Sequence, residues 1–165
     1  MSVAVVVRRA TVKDAQIVAE LAQKLIRQHR DYNVRRFMQP ADLERMAWFY
    51  GSQTKVKDAA VLVAELSEKI VGFAFLQFEA KNYAALLESA AWLHDIYIEK
   101  AARRFNVGKS LIEAARKTAK ELGADKLMLS VAAENEIAQT FFERIGFKAT
   151  MVEMMLDLTE EENND

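Results

Sequence analysis

The sequence predicts an α/β fold of the α+β kind, with a mixed central β-sheet flanked by helices. Three observations carry this. Runs rich in β-branched residues alternate with runs of helical period. Two adjacent strand-like runs are joined so tightly that they must pair as an antiparallel hairpin. Helices interrupt the remaining strands, so part of the sheet needs crossover connections, and the sheet is mixed. The expected order is β-α-α-β-β-β-α-β-α-β.

Val3 to Arg9, rich in valine, reads as the first strand. Thr11 stands three residues before Asp14, a helix-start pattern. Ile17, Val18, Leu21, Leu25 and Ile26 then recur at helical spacing, which carries the helix to about Arg30. After Pro40, Ala41 to Tyr50 reads as a shorter helix stopped by Gly51. Ala60 to Leu66 and Ile70 to Ala80 are the hairpin, turning at Ser67-Glu68-Lys69. Asn82 to Ser89 reads as loop or helical turn, and Ala91 to Ile98 as the fourth strand. Gly108 to Leu122 is a helix with Leu111, Ile112, Ala115, Ala119 and Leu122 on one stripe, capped by Gly123. Lys126 to Val131 is a fifth strand, Asn135 to Ile145 a helix ending at Gly146, and Thr150 to Leu158 a final strand. Residues 1–158 are expected to form one domain, followed by an acidic tail over 159–165.

Composition narrows the chemistry. A chain of 165 residues with 52% hydrophobic content can bury a core without staples. A formal net charge of −1 gives no nucleic-acid footprint. Absence of cysteine excludes disulfides, thiolate metal sites and a cysteine nucleophile. His29 and His94 are far apart in sequence and form no ligand motif, so no metal is expected. No apolar run is long enough to span a membrane, and the charges at Arg8-Arg9 lie on the wrong side for a signal peptide. The expectation is a cytoplasmic protein with no membrane partner.

The richest segment is Leu93 to Ser110, LHDIYIEKAARRFNVGKS. A strand runs into a basic loop, and the loop opens a helix. A helix start offers unpaired N–H groups and the positive end of a dipole, where a pyrophosphate can sit. Gly108 would allow close backbone approach, and Arg103, Arg104 and Lys109 would supply charge. A solvated basic turn is the plainer reading of such a short motif. Gly108-Lys109-Ser110 also matches the end of a Walker A loop, but that loop needs a glycine where Arg103 stands.

Downstream, Asn135, Ala138, Phe141, Phe142, Gly146 and Phe147 fall at N-x-x-A-x-x-F-F-x-x-x-G-F spacing. Together with the basic loop about thirty residues upstream, this resembles the GNAT superfamily of N-acetyltransferases, and the element order fits over nearly the whole chain. The family's loop pattern is Gln/Arg-x-x-Gly-x-Gly/Ala. Arg103 takes its first position, Asn106 its first glycine and Gly108 its second. Asn106 departs from that pattern, although asparagine tolerates left-handed backbone better than most residues. The resemblance implies acetyl-CoA as co-substrate and an amine as acceptor. Backbone amides over Arg104, Phe105, Asn106, Val107, Gly108, Lys109 and Ser110 would hold the pyrophosphate. Ile96 and Ile98 would line or pair with the pantetheine arm, Asn135 would contact it or help separate the fourth and fifth strands, and Phe142 would lie beside it.

Many family members carry a tyrosine where this chain has Phe142, and there it protonates the leaving thiolate. Phenylalanine has no proton to give. Tyr97 and Tyr83 are the candidate substitutes, each more readily read as an ordinary sheet or loop aromatic. An amine also needs a base. His94 and Asp95 sit on the fourth strand, where strand alternation sends them to opposite faces unless a bulge intervenes. His94 suits a base or water-holder and reads equally as a satisfied strand histidine; Asp95 could attract the cationic amine and reads equally as a strand-end hydrogen-bond acceptor. Gln28 to Gln39, with Arg35 and Arg36, is expected to flank the acceptor cleft or to be a solvated charged face. Trp48, Phe49, Tyr50 and Trp92 could line an apolar pocket, with a helix-face core role for the first three. Three readings stay open: an N-acetyltransferase, an acyl-CoA-binding regulatory module that has lost catalysis, and an α/β domain whose motifs are coincidental. Pairing of two copies through an edge strand such as Thr150 to Leu158 would give a homodimer.

Overall fold

A computed structural model of the chain describes residues 4–159. They fall into two compact units: the chain up to Leu25 with Pro40–Ser130, and Ile26–Gln39 with the chain from Val131 onward. The residues at 1–3 and from Glu160 lie outside the described range, as do the start of the expected first strand and most of the acidic tail.

The first unit is built on a five-stranded sheet in the order β1-β2-β3-β4-β5. Its strands are β1 (Val5–Arg9), β2 (Ala59–Leu66), β3 (Lys69–Glu79), β4 (Ala90–Ile98) and β5 (Leu127–Leu129). The first four pair antiparallel and β5 joins β4 in parallel, so the sheet is mixed as expected. β2 is buried along almost its whole length, which fits its run of Ala, Val and Leu without polar alternation. The β2–β3 turn is tighter than expected. Leu66 pairs with Lys69, and only Ser67 and Glu68 turn, at φ 48° and 64°. Left-handed backbone at both central positions matches the twist of the flanking strands.

Helices α1 (Ala15–Tyr32) and α2 (Leu43–Gln53) precede β2, and α3 (Val107–Glu121) follows β4. A short 3-10 turn at Val12–Asp14 replaces the first turn expected for α1. There Thr11 N–H donates to Asp14 Oδ2 at 2.8 Å, while Arg8 bridges Asp14 and Glu65, tying β1, β2 and the helix start together. These contacts hold the Asp14 carboxyl down to about 2, mainly through the Arg8 hydrogen bond.

Helix α2 does not stop at Gly51. Asp42 caps it by accepting from Arg45 N–H, and the helix runs through to Gln53. Gly51 is buried, and a Cβ there would meet the Ala15 Cβ at 3.3 Å. Its missing side chain lets α2 approach the start of α1, and that packing outweighs its low helix propensity.

Even-numbered residues of β3 face α3. A Cβ on Gly72 would lie 2.9 Å from the Tyr97 carbonyl oxygen and 3.4 Å from Leu111. Odd-numbered residues face α2, where Tyr50 meets the rings of Phe73 and Phe75 at 5.5 and 6.0 Å. Gly123, at φ 89°, ends α3 as expected.

In the second unit, α4 (Glu136–Arg144) is capped by the Asn135 side chain, which accepts from Ala138 N–H at 3.2 Å. The expected final strand over Thr150 to Leu158 does not form. Met154, Met155 and Leu156 are consecutive and exposed, so the segment lacks the alternation that gives a strand one buried face. Its carboxylates instead take arginines: Asp157 accepts from Arg35 at 2.6 Å, and Glu153 pairs with Arg36. Arg35 and Thr159 together hold the Asp157 carboxyl well below the usual carboxylate range.

Candidate active site

The site is organised by one irregularity in β4. Phe75 pairs with Asp95 but Leu76 pairs with Leu93, so His94 is an extra residue in β4, a β-bulge. The bulge changes the side-chain parity. The His94 ring stacks beside Phe75 at 5.7 Å, and Asp95 stands directly opposite Phe75. Both side chains therefore reach the α2 side of the sheet, and the expectation that an unbroken strand would present only one of them does not apply.

The two residues have different partners. Asp95 Oδ2 accepts from the Tyr50 hydroxyl at 2.9 Å. Burial, reinforced by the Asp95 charge, pushes the Tyr50 phenol far above its ordinary range, so Tyr50 is a permanent donor. His94 Nε2 lies 2.5 Å from Glu79 Oε1. An ionised carboxylate can only accept, so Nε2 donates to Glu79, and in the neutral ring Nδ1 is then the acceptor. Trp92 stacks on the other side of His94 at 6.3 Å with an interplanar angle of 20°. Beside these groups lies a cavity of about 300 Å³ lined by Glu79, Asn82, Leu87, Trp92, His94 and Ser130.

Sequence reasoning missed Glu79. It is the last residue of β3 and pairs with Ala90, and its odd parity with Phe75 and Gln77 puts it on the His94 face. The signal that finds it is the register of β3 on β4, which sequence periodicity does not give. Trp92 lines the cavity, as expected, but Trp48 is 74% exposed and belongs to neither pocket nor core. Phe49 packs edge-on against Phe75, and Tyr50 is core. Tyr83 is 80% exposed on the β3–β4 loop, with the Lys81 ammonium over its ring.

The second feature begins where β4 leaves β5. The parallel ladder covers only Ala91–Leu93 against Leu127–Leu129. Among the described residues, no strand pairs with His94–Ile98 on that side. This stretch includes Ile96 and Ile98. Beyond it, a 3-10 turn over Lys100–Phe105 carries Arg103 and Arg104, and α3 starts at Val107. Asn106 sits between them at φ 60°, ψ 19°, so it adopts the left-handed conformation in place of a glycine. Its side chain caps no N–H of the first turn of α3. Gly108 and Lys109 lie in that turn, and Ser110 N–H donates to the Asn106 carbonyl at 3.0 Å. Arg104 and Lys109 are exposed beside these amides. Arg103 instead donates from Nε to the Ile98 carbonyl at 3.1 Å, with its guanidinium over the Tyr97 ring. Tyr97 itself is buried.

The family model described as the acetyltransferase (GNAT) family matches residues 22–147. The chain belongs to that family. An N-alpha-acetyltransferase of Sulfurisphaera tokodaii is 27% identical over 64% of this chain and 66% of its own length. An uncharacterised N-acetyltransferase of Methanocaldococcus jannaschii is 29% identical over 61% of this chain and 44% of its own. The chain thus matches less than two thirds of the length of these curated relatives. Among solved structures, a tetramutant of the BH1408 protein from Bacillus halodurans superposes with TM-score 0.79 at 22% identity, covering 93% of this chain and 99% of that one. The aminoglycoside N-acetyltransferase AAC(6')-Iy in complex with CoA does so with TM-score 0.78 at 16% identity, covering 95% and 96%. These likenesses show the shared GNAT fold.

Two GNAT motif residues lie in the second unit and have local duties there. Asn135 is occupied as the cap of α4. Phe142 is buried, with Phe141 and Phe147 at 5.4 and 5.6 Å, so the position of the common family tyrosine is filled by a packed ring. Arg35 and Arg36 tether the C-terminal segment, and Arg30 donates to the Phe37 carbonyl. Among the described residues, no helix is long and apolar enough to cross a membrane, and no group of three or more His, Cys, Asp or Glu is placed to hold a metal.

Proposed function

We propose that this chain transfers the acetyl group of acetyl-CoA to a primary amine by direct attack, with residues 1–158 as the acyltransferase domain. The observation that carries the reading is on β4. The bulge at His94 joins an amine-sized cavity to a strand edge that is open as far as the basic helix start of α3. Membership of the GNAT family supports acetyl transfer as the activity, and the CoA complex of AAC(6')-Iy supports coenzyme A as the donor's carrier.

In this reading, the first-turn amides of α3 around Val107, Gly108 and Lys109 hold the pyrophosphate, with charge from Arg104 and Lys109. Phe105, Asn106 and Ser110 complete the cradle, and Arg103 frames the end of β4. The pantetheine arm runs along Ile96 and Ile98 as an added strand would. An ammonium loses a proton to His94 Nδ1, directly or through water, and the free amine attacks the thioester carbonyl. The oxyanion is held by N–H groups of the bulged strand. The attacking nitrogen loses its second proton to solvent, the carbon–sulfur bond breaks, and the N-acetylated amine and coenzyme A thiolate are released. With Phe142 unable to donate, the thiolate takes its proton from solvent or from Tyr97. Asp95 is an anchor for Tyr50 and supports the strand shape.

Phe142 favours a second reading, an acyl-CoA-binding module that does not turn over. A thiol-release assay with pooled primary amines separates the two. Amine-dependent release supports the enzyme, whereas tight acetyl-CoA binding without release across the pool supports the module. A Tyr97→Phe variant with unchanged kcat removes Tyr97 from the mechanism.

A further inference from the structure

The cavity beside His94 has a charge character that narrows the acceptor. Of its lining residues, Glu79 alone carries a fixed formal charge, and no lysine or arginine lines it. The lysine of the β3–β4 loop, Lys81, is paired with Glu88 at 3.0 Å and lies over the Tyr83 ring. Glu79 is partnered by the His94 N–H, a donor that leaves the carboxylate's charge uncancelled while the ring is neutral. Trp92 adds an aromatic face, which attracts cations. The roof is held in place: Asn82 and Leu87 exchange backbone hydrogen bonds at 2.9 and 3.1 Å, and the Asn82 side chain accepts from Ala85 N–H. At about 30 Å³ per water-sized group, the space of about 300 Å³ holds on the order of ten heavy atoms.

We infer that this cavity takes a small cationic amine bearing no carboxylate, and that Glu79 is its specificity-determining residue. The inference rests on the acetyltransferase reading. Glu79 draws the ammonium against the face of Trp92. It also fixes the His94 ring so that Nδ1 is the atom offered to the amine. An amine with a carboxylate would bring a second negative charge into a pocket with no cation to meet it.

The test uses the full chain with Trp48→Phe, which leaves Trp92 as the one tryptophan. Trp48 is exposed and outside the cavity. Trp92 emission is titrated with pentylamine, 1,5-diaminopentane and 5-aminopentanoate, both with and without coenzyme A. Pentylamine and the diamine should bind saturably, and 5-aminopentanoate at least tenfold more weakly. Glu79→Gln should weaken both cationic amines at least tenfold and erase the preference, while Glu79→Asp should keep its direction. Equal affinity for 5-aminopentanoate, no saturable response to any probe, or an unchanged Glu79→Gln profile would overturn the inference. The wild-type preference decides it even where Glu79→Gln does not fold. Calorimetry with acetyl-CoA reports separately on the transferase reading: its failure leaves the amine preference measurable, and failure of the preference leaves acetyl-CoA binding intact.

Discussion

The middle and the C-terminal end of β4 make an instructive pair. At its C-terminal end the chain presents backbone: a strand edge without a strand partner among the described residues, a left-handed asparagine, and the first turn of α3 flanked by Arg104 and Lys109. Near its middle the chain presents side chains: His94 pinned by Glu79, framed by Phe75 and Trp92, beside a small cavity. A backbone cradle suits an anion shared by every reaction of a cofactor. A side-chain pocket suits one acceptor. The β-bulge separates the two regimes within five residues of strand.

Substitutions should therefore split cleanly. The largest effect expected is for Gly108→Trp. An indole in the first turn of α3 should lower acetyl-CoA affinity at least about 100-fold, roughly 3 kcal/mol, with the thermal transition little changed, as calorimetry and melting would report. His94→Ala should do the opposite, lowering kcat by about 10²–10³ while the acetyl-CoA Kd stays at its wild-type value. If His94→Ala weakened acetyl-CoA binding instead, the two regions would not be separable in the way proposed.

Tyr50→Phe tests the division inside the pocket region. It strips Asp95 of a buried donor and should cost about 1–2 kcal/mol of stability, read by urea denaturation, with kcat within about twofold. A large kcat loss would return Asp95 to the chemistry.

A control lies at β1, remote in sequence from both. Asp14 is held at about 2 from an ordinary 3.8. A depressed carboxyl stabilises the fold fully above the unfolded value, and that stability is lost as pH falls from about 4 toward 2. The shift alone would suggest about 2.4 kcal/mol, but the Arg8 side chain is 38% exposed, and screening reduces this to about 1 kcal/mol. Asp14→Asn should thus lose about 1 kcal/mol at pH 7 and little at pH 2, by urea denaturation at both. The smallest effect expected is a gain. Asn106→Gly should stabilise by about 0.5 kcal/mol by relieving left-handed strain, without weakening acetyl-CoA binding.

The local form of the loop was legible in the sequence because its parts are contiguous: basic residues, a turn-tolerant asparagine and a helix start fall within Arg103 to Ser110. Asn106 adopting positive φ is what its side chain permits. The mixed sheet and most helices were legible from periodicity for the same local reason. The pocket was not, since it depends on pairing across the hairpin. Glu79 and His94 are fifteen residues apart, and only the register of β3 on β4, with one residue added at the bulge, brings them together. Gly51 misled because helix propensity is local while its packing against Ala15 is not. The final strand misled because the valine and methionine run at 151–158 suggests a strand, yet three consecutive apolar residues give it no single face.

The most direct test of the division along β4 is amine-dependent release of coenzyme A thiol, measured with wild-type and His94→Ala proteins whose acetyl-CoA affinities have been matched by calorimetry. Release that requires the amine in the wild type, and that falls at least about 100-fold in His94→Ala at unchanged affinity, is the expected result. Equal release by the two proteins would contradict it.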